Sequence, residues 1–140
     1  MSDDLYGVKV GDTASMEKEF SQQDVADFAR VSGDNQPLHL DAEYAATTRF
    51  GRPIAHGMLS AGLISAALGT KLAPNATVVY LSQTLRFMRP VYPGDTITAQ
   101  LEVTAIDMEK KFVTCTTECV NQDGKTVLSG EATVLLDPKG

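Results

Sequence analysis

This chain has few metal-ligating residues, no concentration of basic charge and no hydrophobic run suited to a membrane. Its two histidines, His39 and His56, and two cysteines, Cys115 and Cys119, form no ligand-spaced cluster, so no metal site is expected. Twelve basic residues against eighteen acidic ones leave a net charge of −6. With no basic cluster, nucleic acid and anionic membrane are poor partners. The longest uncharged stretch, Pro53 to Thr70, is 18 residues, but it holds His56, two serines and three glycines, which suits a buried helix better than a span. The acidic start Met-Ser-Asp-Asp lacks the apolar region of a secretory signal, which implies a cytoplasmic protein. Cys115 and Cys119, four residues apart on one strand, stand about 13 Å from each other, beyond the roughly 7 Å a disulfide can span. They read as small core residues.

What is present suits one domain over residues 1 to 140. The length allows a sizeable core, no linker or low-complexity run divides the chain, and 43% hydrophobic with 21% charged residues is ordinary for a globular protein.

The informative residues gather between 28 and 68, where a polar loop runs into an apolar helix. Asp34 and His39 lie five positions apart, a spacing that cannot share one helix face, and Pro37 biases Gln36 away from the helical region. An irregular turn is therefore expected to aim both side chains at one point. From Gly57 to Leu68 no residue is charged, so this helix belongs inside a core. Its first free backbone N–H groups can face a ligand anion.

The remaining elements follow from periodicity. Residues 1 to 12 read as an extended or frayed lead-in, and Thr13 to Phe20 as a short strand. Ser21 with Asp24 gives a weaker form of the capping box, opening a helix whose Val25, Phe28, Ala29 and Ser32 share a face and which stops at Gly33. Asp41 caps a short helix over Ala42 to Ala46, and the central helix ends near Gly69. From Ala76 the period becomes two, with both faces of this strand largely covered. Thr96 to Ile106 puts Ile97, Ala99, Leu101, Val103 and Ala105 on one side. Phe112 to Val120 and Thr126 to Leu136 are joined by a hairpin at Asp123-Gly124. Short connections imply antiparallel neighbours. Such a sheet and one apolar helix form an α+β fold in which the sheet curls round the helix; the alternative is an α+β sandwich with helices on one face.

The run Ser32-Gly33-Asp34-Asn35-Gln36-Pro37-Leu38-His39-Leu40-Asp41, followed by Phe50-Gly51-Arg52-Pro53-Ile54-Ala55-His56-Gly57-Met58, resembles the MaoC-like hydratases, and among them the short single-domain (R)-specific enoyl-CoA hydratases. Gln36 departs from the family pattern, which usually has Asn there. The resemblance implies a hot-dog fold, a homodimer, an acyl-CoA thioester substrate, and reversible hydration of trans-2-enoyl-CoA to (R)-3-hydroxyacyl-CoA with no bound cofactor. It implies that Asp34 activates a water that His39 orients, sharing the proton transfer, and that the N–H of Gly57 receives the developing enolate oxygen. Ser65 matches a serine near the site of relatives; Met58, Leu63 and Leu68 are candidates for the acyl slot or, equally, for the core. His56 is expected to order the loop. Arg49, Arg52, Arg86 and Arg89 are the nearest basic residues for CoA phosphates or, equally, solvated surface. Two other readings remain: a hot-dog thioesterase acting on the same thioester, and a non-catalytic acyl-CoA-binding dimer.

Overall fold

The computed structural model describes residues 4–139; the first three positions of the expected lead-in lie outside the described residues. Its elements are β1 (Thr13–Glu19), α1 (Gln22–Ser32), α2 (Pro37–Leu40), α3 (Ala42–Ala46), α4 (Gly57–Ala67), a π turn (Leu68–Leu72), β2 (Ala76–Phe87), β3 (Thr96–Asp107), β4 (Phe112–Val120) and β5 (Thr126–Pro138). The five strands form one antiparallel sheet in the order β1-β3-β4-β5-β2, which curls round α4 in the hot-dog arrangement. Ile64 and Ala67 of the helix meet Ile97, Ala99, Val113, Cys115, Val134 and Leu136 of the sheet in one core. Both cysteines are free and buried there.

Local chemistry sets the boundaries. Ser21 Oγ accepts the Asp24 N–H at 3.0 Å while the Asp24 carboxylate accepts the Ser21 N–H at 2.9 Å, a complete capping box. That backbone bond is the main reason the Asp24 carboxyl sits below its ordinary pKa. Gly33 closes α1 in the left-handed region, at φ 83°. Asp41 caps α3 by accepting from the N–H groups of Glu43 and Tyr44. Between β5 and β2 the backbones approach so closely that a Cβ on Gly130 would lie 1.8 Å from the Thr84 carbonyl oxygen.

Several expectations change. The lead-in is not frayed within the described residues: Leu5 and Val8 pair with each other and are buried in the core. The central α-helix ends at Ala67, near Gly69 as expected, but a π turn that buries Leu68 and Leu72 extends it. A bulge after Val103 shifts β3 by one residue, so Ala105 turns outward and the half-buried Ile106 packs on the core instead. The chain does not cover both faces of β2, an edge strand on which Val79, Tyr80, Leu81 and Phe87 are exposed. Nor does it enclose α4 on all sides, since Met58, Gly62 and Ser65 form an exposed stripe.

Candidate active site

Asp34 lies in the loop after α1, as expected, but His39 stands on the single helical turn α2 and not on an irregular turn. Pro37 explains both halves of that outcome. It holds Gln36 extended, at φ −55° and ψ 135°, yet at the first helical position its missing N–H costs nothing and its fixed φ starts the turn. The side chain of Gln36, at the departure from the family pattern, makes no cap bond.

His39 is buried and its Nδ1 lies 2.7 Å from the Ile54 carbonyl oxygen. A carbonyl only accepts, so Nδ1 carries the proton and Nε2 keeps its lone pair. The Asp34 side chain is exposed, and its one internal contact is a long bond of 3.4 Å accepted from the Gln36 N–H. Asp34, His39 and His56 each offer an atom within 4.8 Å of the others. A water that bonds two groups at about 2.8 Å each spans that distance, so the Asp34 and His39 pair suits one bridging water.

His56 immediately precedes α4. Its Nε2 lies 2.8 Å from the carbonyl oxygen of Asp34, to which it donates, and its ring stacks on His39 with centroids 3.8 Å apart and 26° between planes. Phe28 backs it from α1 at 4.8 Å. The expected loop-ordering part is thus one this geometry suits. The three donor groups do not make a good metal cradle. Stacked rings hold their in-plane lone pairs in nearly parallel planes, whereas a shared cation needs them to converge, and Nδ1 of His39 and Nε2 of His56 are already committed to carbonyls.

Gly57 opens α4, so its N–H is one of the orphan donors at the positive end of the helix dipole. The Phe87 ring covers it so tightly that a Cβ there would come within 2.6 Å. Two cavities flank Met58. One, of about 490 Å³, runs along α4 past Phe28, Ser65, Tyr80 and Gln83. The other, of about 530 Å³, lies at the helix start among Gly57, Ser60, Phe87, Arg49 and Arg89. Met58 and Ser65, both expected near substrate, line these spaces. Leu63 and Leu68, weighed for the acyl slot, sit in the core, Leu68 at 1% exposure. Sequence reasoning missed Phe28 as a support for His56, Phe87 as the cover of Gly57, and the Ile54 carbonyl that sets the His39 tautomer. The last carries no sequence signal, because every residue type has a carbonyl.

Residues 8–125 match the family model described as "MaoC like domain". The chain is 49% identical over 133 residues, 95% of its length and 91% of the relative's, to an (R)-specific enoyl-CoA hydratase of Rhodospirillum rubrum. It is 47% identical over 129 residues, 92% of its length and 96% of the relative's, to an (R)-specific enoyl-CoA hydratase of Aeromonas caviae. The solved structure of an (R)-hydratase from A. caviae involved in PHA biosynthesis superposes with a TM-score of 0.88 at 47% identity, covering 93% of this chain and 98% of that one.

Proposed function

Since the chain belongs to the MaoC-like family, we infer that it is an (R)-specific enoyl-CoA hydratase, adding water reversibly across the double bond of trans-2-enoyl-CoA to give (R)-3-hydroxyacyl-CoA. The observation that carries the reading to residues is the 4.8 Å grouping of an exposed carboxylate with an imidazole whose tautomer is fixed by Ile54. In the proposed reaction Asp34 and His39 hold one water between them, and its oxygen bonds to C3 while a proton it carried passes through the pair to C2 on the same face. As C3 is attacked, the π pair of the C2–C3 double bond shifts between C1 and C2 and the carbonyl π pair moves onto the thioester oxygen, and the Gly57 N–H stabilises that oxyanion until C2 is protonated. The reaction uses no redox step, and no bound cofactor enters it.

Two further proposals concern the setting. The protein is a homodimer, because the exposed Tyr80 and Leu81 of the edge strand and the exposed α4 stripe form an apolar face that a second copy covers. It is cytoplasmic, which suits two buried thiols kept unpaired. Among the described residues no helix is long and apolar enough to cross a membrane. The test of function is incubation with crotonyl-CoA, following loss of the conjugated thioester absorbance and the configuration of the product. The expected result is (R)-3-hydroxybutyryl-CoA with no free thiol; thiol release would make it a thioesterase, and no change would leave only a binding protein.

A further inference from the structure

Among the described residues, two buried side-chain polar atoms have no hydrogen-bond partner, Nδ1 of His56 and Oγ of Ser60. They belong to residues 3% and 2% exposed that stand one helical turn apart at the start of α4. Buried polar atoms are almost always paired, so two orphans this close together point to a shared contact. Their chemistry is complementary. Nε2 of His56 carries a proton, because it lies 2.8 Å from the Asp34 carbonyl oxygen, which only accepts. Nδ1 of the neutral ring is therefore a bare acceptor, and a serine hydroxyl is a donor. Resting on the hydratase reading, we propose that Ser60 is a positioning residue: its hydroxyl, through one buried water, donates to His56 Nδ1 and so keeps the proton of that ring on Nε2, where it holds the backbone of Asp34.

Neither atom uses the partner nearest to it in the chain. A polar side chain just before a helix often accepts from an N–H of the first turn, but His56 makes no such bond. A serine inside a helix often returns its hydroxyl to the carbonyl four residues back, which here is that of His56. Ser60 Oγ makes no such bond, and that carbonyl takes the Leu59 N–H at 3.0 Å. The Cys119 thiol, 3.6 Å from the Ser60 carbonyl oxygen, donates there and leaves the hydroxyl as the donor for Nδ1. Helical side chains lean towards the helix N-terminus, which brings the Ser60 hydroxyl back over the turn that His56 opens, and side chains four apart stand about 5–6 Å from each other at Cβ. A water bonded at about 2.8 Å on either side spans such a gap. Ser60 also lines the cavity at the helix start, together with Ala55 and Gly57 on either side of His56, so there is room for it. With the proton on Nδ1 instead, Nε2 would turn a lone pair to the Asp34 carbonyl and repel it. Ser60 thus acts on Asp34 through His56.

The experiment compares the parent with Ser60→Ala, which loses the hydroxyl, and Ser60→Thr, which keeps it, each checked for native fold. Two properties are measured: the His56 tautomer, by nitrogen NMR of the imidazole, and kcat and KM for crotonyl-CoA. In the parent the neutral His56 ring should carry its proton on Nε2. In Ser60→Ala the proton should spread over both nitrogens, and kcat should fall about three- to tenfold, the worth of one hydrogen bond, with KM unchanged. Ser60→Thr should restore both. A parent ring protonated on Nδ1, a Ser60→Ala ring that keeps its proton on Nε2, a tautomer change with no loss of kcat, or a folded Ser60→Thr no better than Ser60→Ala overturns the proposal while leaving the hydratase reading intact. If Ser60→Thr does not fold, the parent and Ser60→Ala decide the matter alone. A parent that does not hydrate crotonyl-CoA overturns the hydratase reading and takes the positioning role with it, whatever the tautomer.

Discussion

The imidazole of His56 lies against that of His39, with ring centroids 3.8 Å apart, and its Nε2 bonds the backbone carbonyl of Asp34 at 2.8 Å. One buried side chain thus touches both members of the proposed water-holding pair. In the proposed mechanism His39 faces the chemistry and His56 stands behind it.

Replacing either member of the pair should therefore stop the reaction in the same way. Asp34→Asn and His39→Ala are each expected to lower the hydration rate by about 10²-fold or more, and the double variant should be little worse than either, because both act through one water. Losses that multiply in the double variant would show that each group works alone.

His56→Ala removes a buried hydrogen bond and the ring that backs His39. A loss of stability of about 2–3 kcal/mol is expected, together with a partial fall in rate as Asp34 and His39 lose their placement. Thermal unfolding and crotonyl-CoA hydration measure the two effects. A variant as stable as the parent yet as inactive as His39→Ala would move His56 into the chemistry.

At Gly57 two effects of an added side chain separate. Gly57→Ala must displace the Phe87 ring, which its Cβ would meet at 2.6 Å, and it must also crowd the thioester oxygen. Stability lost in Gly57→Ala should return in Gly57→Ala/Phe87→Ala, while turnover stays low by about 10²-fold, the scale of a damaged oxyanion donor. Recovery of the parent rate in the double variant would mean that the clash with Phe87 was the whole effect.

Gly130→Ala tests the sheet. The Thr84 carbonyl lies 1.8 Å from the Cβ position, and this neighbour is backbone in a paired strand that cannot swing aside. Destabilisation beyond about 4 kcal/mol or failure to fold is expected. An alanine variant with the parent's melting temperature would contradict the close approach of β2 and β5.

The two thiols should be inert. Burial pushes the pKa of Cys115 up to about 11 and that of Cys119 up to about 12, from an ordinary value of 9.0, so neither forms thiolate at neutral pH. Ellman's reagent should leave the native protein unlabelled at pH 8 and react with two thiols after denaturation. Above about pH 9 the unfolded chain sheds these protons first, so stability should fall as pH rises from there towards the folded values. Rapid labelling of the native protein would show the sheet interior to be open.

The sequence by itself determined most of the elements and the candidate site residues. Ser21 with Asp24, Asp41 and Gly33 act on the few residues beside them, so the limits of α1 and α3 were legible, as was the hairpin at Asp123-Gly124. Asp34, His39 and Gly57 stood in motifs whose resemblance to a family carried their meaning. The tertiary structure decided what those residues touch. Periodicity shows which side chains avoid water but not what covers them, so α4 and β2 read as enclosed although this chain leaves Met58, Ser65, Tyr80 and Leu81 open. One extra residue at the β3 bulge reversed Ala105 and Ile106, which depends on the register with β4 and not on the strand's own pattern. The stacking of His56 on His39 and the cover of Phe87 over Gly57 join residues 17 and 30 positions apart. Contacts at such separations are fixed only when the sheet has closed round the helix, which is why no local signal announces them.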